Sequence, residues 1–346
     1  MQLFHLKFVD WLESQLIYHA QPRVDVEGIN ILAPNSPYVC IGYHQNLEQE
    51  VDLEYCKINN IPVFRREVGG GAVFLDGNQI FFQITLHKSN PLAQGDKSGL
   101  YQRLLEPVAR TYEDLGIPAK YRPVNDVVTA EGRKISGTGV AEIGDYIVLV
   151  GNLIADFDYQ TMTHVLRVPD EKYRDKVFKS MTENLTTIKR EIGFVPSWDE
   201  MTKPLIQNFE TVFGKLESAK LPQKVYDQMA ILKLKFESKD WLFMKRKTKA
   251  EENTKIATGV NIVQRIFKAP GGLLKATYEL KENKIYKAAL TGDFFCYPRE
   301  AILRLESALE GADLSMLDKL MTNFYKNNEI ETPGVVPSDW VKVLSG

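Results

Sequence analysis

The sequence predicts an α+β protein of two domains, a larger one over residues 1–245 whose middle is mostly sheet and a small α+β one over residues 246–346. Three observations carry that reading. The chain has 346 residues, and single cores stop growing near about 250 to 300 residues. Strand-like apolar runs broken by Gly, Pro and Asn-Asp turns fill the first half, whereas helical spacing takes over through 158–178 and 199–236. Finally, WLFMKRKTKAEENTK, residues 241–255, carries bases and acids with few apolar residues after Met244, the composition of an exposed connection.

Taken in order, residues 6–20 repeat apolar positions at helical spacing and predict the first helix. INILAPNSPYVCIG reads as two short strands punctuated by Pro34 and Pro37. LEQEVDLEYCKINN predicts a helix ending at Asn59-Asn60, and IPVFRR a strand that delivers Arg65 and Arg66 to its end. In GAVFLDGNQIFFQITL the Asp76-Gly77-Asn78 group separates two β-rich runs and predicts a hairpin, because such residues accept the backbone of a tight turn. SGLYQRLLEPVARTYEDLG lines up Leu100, Leu104, Leu105, Val108 and Tyr112 on one helical stripe, stopped by Gly116. Strands are predicted over AKYRPV, over DVVTAEGRKISGTGVAE with its own glycine breaks, and over DYIVLVGNLIAD. Past the connection, GVNIVQRIF, GLLKATYEL and KIYKAALTG read as three strands, followed by helices near 299–309 and 314–326.

Composition narrows the function classes. With 43 Lys and Arg against 45 Asp and Glu the net charge is −2, so no global field draws the chain to nucleic acid or to a membrane surface. The basic run Lys245 to Lys249 is short and reads as a solvated face. Cys40, Cys56 and Cys296 lie far apart without CxxC spacing, and five histidines make no zinc pattern. No apolar run is long enough to cross a bilayer and the N-terminus is unlike a signal peptide. These features predict a soluble, cytoplasmic monomer.

Three short elements stand out. In RREVGGGAVF, Arg65 and Arg66 precede Gly69, Gly70 and Gly71, whose bare backbone lets N–H groups approach a phosphate or carboxylate. No Gly-Lys-Ser/Thr follows and no helix is opened, which excludes a Walker A loop and a dinucleotide fingerprint. GRKISGTG, residues 132–139, sets Lys134 among small residues, where a fixed ammonium can neutralise charge growing on an acyl or phosphoryl oxygen. Asn125 and Asp126 open the preceding strand, and an Asp there can hold a Mg²⁺ that bridges phosphates. Each element alone also reads as ordinary structure: a flexible bend, an exposed strand lysine, a turn.

In their order, RRxxGGGAVF, then Asn-Asp, then GRKISG resembles the lipoate-protein ligase family, related in fold to biotin-protein ligases. PYVCIGYHQN resembles that family's early strand, and TGDFF, residues 291–295, resembles a signature of its C-terminal accessory domain. The resemblance covers essentially the whole chain. It implies a mixed β-sheet catalytic domain of the biotin/lipoate ligase type, class II synthetase-like, over 1–245 and an accessory domain over 246–346. It also implies that ATP and Mg²⁺ are the cofactors and lipoate the substrate, activated as lipoyl-AMP. The acyl group then passes to a lysine of lipoyl-domain acceptors, namely 2-oxoacid dehydrogenase E2 subunits and the glycine cleavage H protein.

By the same resemblance Arg65, Arg66, Gly69, Gly70 and Gly71 cradle lipoate and its adenylate, with Ala72 beside them and Val73 against the apolar chain. Lys134 contacts the acyl oxygen and phosphate. Asn125 and the metal ligand Asp126 sit at the nucleotide phosphates, and Ser136, Gly137, Thr138 and Gly139 form the adenosine wall. The chain departs from the family at two places. Leu75-Asp76-Gly77-Asn78 stands where His-Asp-Leu-Gly-Asn is common, and Val150-Gly151 stands where His-Gly is common. Two other function classes remain: an ATP-independent lipoyl or octanoyl transferase, which needs a thiol near Lys134, and a non-catalytic binder of lipoyl domains.

Overall fold

The computed structural model describes residues 1–245 and 261–346. The chain forms two compact units, and neither is a continuous stretch. One comprises Met1–Cys40, Val51–Phe64 and Val73–Ser238, the other Ile41–Glu50, Arg65–Ala72 and Lys239–Gly346. The connection expected over 241–255 lies outside the described residues from 246 onward. Its described start is a short helix, Lys239–Leu242, and a turn.

The first unit is built on an eight-stranded mixed sheet. Its order is β11-β1-β2-β6-β10-β9-β8-β7, made by β1 (Gln2–Val9), β2 (Gly28–Pro34), β6 (Gln79–His87), β7 (Ala119–Arg122), β8 (Asp126–Thr129), β9 (Lys134–Ile143), β10 (Tyr146–Ile154) and β11 (Glu217–Ser218). The central strands β2 and β6 are buried almost end to end, as strands covered on both faces must be. Helix Lys97–Asp114 packs against Trp198–Phe213, and Trp11–Ala20 against Gln223–Phe236. The stripe expected on the first of these, Leu100, Leu104, Leu105, Val108 and Tyr112, is buried throughout, and Gly116 ends the segment at φ +82°.

Two expectations are corrected. Residues 6–9 are strand, not helix: β1 carries a register irregularity between His5 and Lys7, and Lys7 has φ +58°. That bulge breaks the period of two that announces a strand. The helix starts only after Asp10, whose carboxylate accepts the N–H of Leu12 at 2.9 Å. Residues 73–87 are not a hairpin either. Strand β5 (Val73–Leu75) pairs with β3 (Tyr38–Ile41) in a small sheet of order β4-β3-β5, with β4 at Val63–Arg65, while β6 pairs with β2 and β10. The turn chemistry is as read, since Asp76 Oδ1 accepts the N–H of Asn78 at 2.9 Å, but the turn moves the chain from one sheet to another.

The second unit holds the antiparallel sheet β12 (Asn261–Ala269), β13 (Gly272–Lys281) and β14 (Lys284–Asp293). Leu274, Tyr278, Leu290, Phe294 and Trp340 form its core with helices Ala301–Leu309, Leu317–Asn328 and Pro337–Ser345. The last helix was not anticipated. It starts at a proline, which suits the first helical turn.

Candidate functional site

The sequence-derived site residues fall into two clusters, one in each unit. In the first, Asp126 opens β8 opposite Arg122 of β7 and Gly137 of β9. The β8–β9 turn is closed by Gly132 at φ +81°, a backbone glycine adopts freely. A register shift between Val127 and Val128 brings Lys134 opposite Val128 and its side chain back toward the carboxylate. Lys134 Nζ lies 2.6 Å from Asp126 Oδ1. The contact is an ion pair without a directed hydrogen bond, because this buried oxygen has no hydrogen-bond partner. Asp126 Oδ2 accepts from Arg122 Nη2 at 2.9 Å.

Gly137 makes room for the lysine. A Cβ there would stand 3.1 Å from Lys134 Cε and 3.3 Å from Nζ, so the side chain arches over bare backbone. Its own backbone is anchored, since the carbonyl of Lys134 accepts the N–H of Thr186 at 2.8 Å.

The neighbouring residues are tied to each other. The Asn125 amide donates to the carbonyl of Thr138, and Thr138 Oγ1 donates to the carbonyl of Asn125 at 2.6 Å. Ser136 Oγ donates to the carbonyl of Asn152 at 2.6 Å, and Asn152 Oδ1 accepts the N–H of Gly137 at 3.0 Å. Gln79 in turn accepts from the Asn152 amide at 2.8 Å. Gly139 pairs with Val150, and Thr138 with Gly151. A Cβ at Gly151 would come within 2.3 Å of Phe82 and 2.7 Å of Thr138. Arg122, Asn152 and Gln79 are absent from the sequence reading. Asn152 was findable as an amide inside an otherwise apolar strand, whereas nothing in the sequence marks Arg122.

Among the described residues no group of three or more His, Cys, Asp or Glu gathers to hold a metal ion. Asp126 offers one carboxylate oxygen lacking a hydrogen bond. Mg²⁺ is commonly bound through one or two carboxylates with phosphates and water completing the shell. This donor set fits a Mg²⁺ brought by a nucleotide and does not fit a cation held by protein alone.

The second cluster holds the arginines and glycines. Arg65 is fully buried and makes five hydrogen bonds of 2.7–3.2 Å to the carbonyls of Gly42, Tyr43, Gln45 and Leu242. Arg66 bends over the loop that follows, donating to the carbonyls of Gly69 and Gly71 at 2.8 Å each. Gly70 has φ +90° and donates its N–H to the carbonyl of Phe294 at 3.0 Å. Cβ atoms at Gly69 and Gly71 would stand 2.5 Å from the Phe294 carbonyl and 2.9 Å from an Asp293 carboxylate oxygen. Gly69 and Gly70 therefore lie against the backbone of the TGDFF segment, and Gly71 against the Asp293 carboxylate. Ala72 closes the loop half-exposed, and Val73 pairs with Cys40 in the small sheet.

Beside them His44 is buried, stacked on Phe294 at 4.6 Å, with neither ring nitrogen hydrogen-bonded. Burial holds its pKa well below 6.5, helped by Lys245, Arg299 and Arg65. Glu67 is buried with Arg299 Nη2 at 3.4 Å. All three cysteines are buried; burial pushes the Cys56 thiol up to about 11 and that of Cys296 to about 12.

Residues 11–210 match the family described as the lipoyl protein ligase A/B catalytic domain. The chain is similar to the lipoate-protein ligase LplJ of Bacillus subtilis, 28% identical over 288 residues that cover 82% of this chain and 80% of the relative. It is also similar to the octanoyltransferase LipM of Kyrpidia tusciae, 23% identical over 255 residues, 67% of this chain and 92% of that one. Among solved structures, a bipartite lipoate protein ligase studied with its E2 lipoyl domain from Thermoplasma acidophilum superposes with a TM-score of 0.63 at 28% identity, covering 71% of this chain and 98% of the other.

Proposed function

Because this chain belongs to the lipoyl protein ligase A/B family, we propose that it activates lipoate with ATP and Mg²⁺ to lipoyl-AMP and transfers the lipoyl group to a lysine of lipoyl-domain acceptor proteins. The observation that carries the reading is the cluster of Lys134, Asp126 and Gly137, an ammonium on bare backbone beside a carboxylate oxygen lacking a hydrogen bond. In the first half-reaction a lipoate carboxylate oxygen bonds to the α-phosphorus and the bond to pyrophosphate breaks. Lys134 neutralises the charge gathering on the α-phosphoryl and acyl oxygens. Asp126 would hold Mg²⁺ through Oδ1, and the ion would supply charge neutralisation at the phosphates.

In the second half-reaction the neutral acceptor amine bonds to the acyl carbon, the bond to AMP breaks, and the amine's proton passes to the departing AMP phosphate or to water. Asn125, Ser136, Thr138 and Gly139 fix the strand backbone on the nucleotide side. In unit two, Arg66 with Gly69 to Ala72 forms the lipoate-binding loop; in unit one, Val73 is the apolar residue for the lipoyl chain. Arg65 acts through the carbonyls it ties together. Residues 1–245 would carry the chemistry and 246–346 the accessory role, in a monomer whose three free thiols suit a reducing cytoplasm.

The similarity to LipM raises transfer without ATP, which needs a nucleophilic thiolate. The buried thiols argue against it: Cys40 faces Gln15, and Cys56 and Cys296 are held in the thiol form. The deciding assay follows pyrophosphate and AMP with ATP, Mg²⁺ and lipoate, with and without an apo-lipoyl domain whose mass is monitored. Ligation gives pyrophosphate and a lipoyl-sized mass gain. Modification from an acylated donor without ATP would replace this reading with transfer, and acceptor binding without any turnover would replace it with a binding module.

A further inference from the structure

We propose that Arg122 is a positioning residue of this site, one that holds Oδ2 of Asp126 and so leaves Oδ1 as the single carboxylate oxygen exchanged between Lys134 and the nucleotide's Mg²⁺. The inference rests on the adenylation reading above. Its basis is the way three strands converge. Arg122 and Asp126 are directly opposed across β7 and β8, where Nη2 donates to Oδ2 at 2.9 Å. Nη1 of the same guanidinium donates to the carbonyl of Gly132 at 3.2 Å, in the turn that leads into Lys134. One planar fork thus spans the carboxylate and the turn, which a single ammonium cannot do with the same geometry.

A carboxylate with both oxygens free beside an ammonium can rotate and accept it through either one. Held at Oδ2, Asp126 presents Oδ1 alone, 2.6 Å from Lys134 and without a hydrogen bond. A metal ion reaching that oxygen would therefore compete with the ammonium of Lys134 for it. With Mg²⁺ bound, Asp126 would hold the ion through Oδ1 and Lys134 would be free to face the phosphates, the carboxylate being kept in place by Arg122. Arg122 is 47% exposed, and exposed ion pairs add little to stability, so its consequence is orientation.

The test compares wild type, Arg122→Ala and Arg122→Lys by lipoate-dependent pyrophosphate release, by calorimetric ATP affinity with and without Mg²⁺, and by thermal melting. Arg122→Ala is expected to melt like wild type, to lose about tenfold in kcat with KM for lipoate within about twofold, and to lose the Mg²⁺-dependent gain in ATP affinity. Arg122→Lys recovers part of both. Wild-type kcat and Mg²⁺ response in Arg122→Ala would overturn the proposal, as would losses that follow a lowered melting temperature in both variants. If wild type itself releases no pyrophosphate, the adenylation reading fails, and the affinity measurements still decide Arg122. A wild-type ATP affinity indifferent to Mg²⁺ counts against it.

Discussion

Replacing Gly137 with alanine adds one methyl group under the arch of Lys134 and separates catalytic geometry from folding. The new Cβ would sit 3.1 Å from Cε and 3.3 Å from Nζ, a few tenths of an ångström inside comfortable contact. Both atoms lie at the far end of a flexible side chain, so the lysine moves and the strand does not. Gly137 also lies within β9, where alanine is preferred to glycine by roughly 0.5–1 kcal/mol, which offsets the crowding. The fold should therefore melt within about 2 °C of wild type. The ammonium, levered away from Asp126, is misplaced by up to about 1 Å, and errors of that size cost of the order of 10 to 100-fold in rate. The assay is lipoate-dependent pyrophosphate release at saturating ATP. Gly151→Ala is the contrast, because its Cβ would meet Phe82 at 2.3 Å and Thr138 at 2.7 Å; it should lose about 1–3 kcal/mol of stability. Full turnover by Gly137→Ala with wild-type melting would refute the argument that Lys134 works from its position over bare backbone.

Three further outcomes are expected. Above pH 6.5 His44 is neutral folded or unfolded; below it the unfolded chain takes a proton that the buried ring refuses, so stability falls by up to about 1.4 kcal/mol per pH unit. Urea midpoints between pH 7 and 5.5 should show a shallower slope for His44→Phe, with the remainder coming from residues such as His5, whose pKa is also lowered by burial. Arg65→Ala should cost about 3 kcal/mol or more in equilibrium unfolding, because four carbonyls lose a buried charged donor; a loss below about 1 kcal/mol would show that water replaces the guanidinium. Gly70→Ala places a side chain at φ +90°, 3.2 Å from Arg66 Nη2 and Phe295 Cζ, and should lower stability by about 1–2 kcal/mol, measured the same way.

Periodic elements were legible because local spacing alone defines them: the stripe of helix Lys97–Asp114, the strands from β7 to β10, and the three-stranded sheet of β12 to β14. Pairing was not, because register and partner depend on residues far along the chain. Asp76-Gly77-Asn78 announces a turn equally well whether the next strand folds back or joins another sheet. The bulge at Lys7 hid a whole strand. At the site, Lys134 and Asp126 were readable as motif residues, and their ion pair follows from a register shift that no local pattern reveals. Arg65 and Arg66 stand side by side in the sequence. Burial distinguishes them, since Arg65 lies wholly inside, whereas Arg66 is partly exposed and donates to carbonyls of its own loop.

The division of the second unit among three stretches sets an order of events at the ribosome. Gly70 precedes Phe294, which accepts its N–H, by 224 residues, and at 5–20 residues per second that interval lasts roughly 10 to 45 s. Until then Glu67 and His44 lack Arg299 and Phe294, the neighbours that bury them in the finished protein. The glycine loop is thus among the earliest segments synthesised and among the last to acquire its fold, which makes premature termination anywhere before TGDFF a lesion in the N-terminal segments themselves.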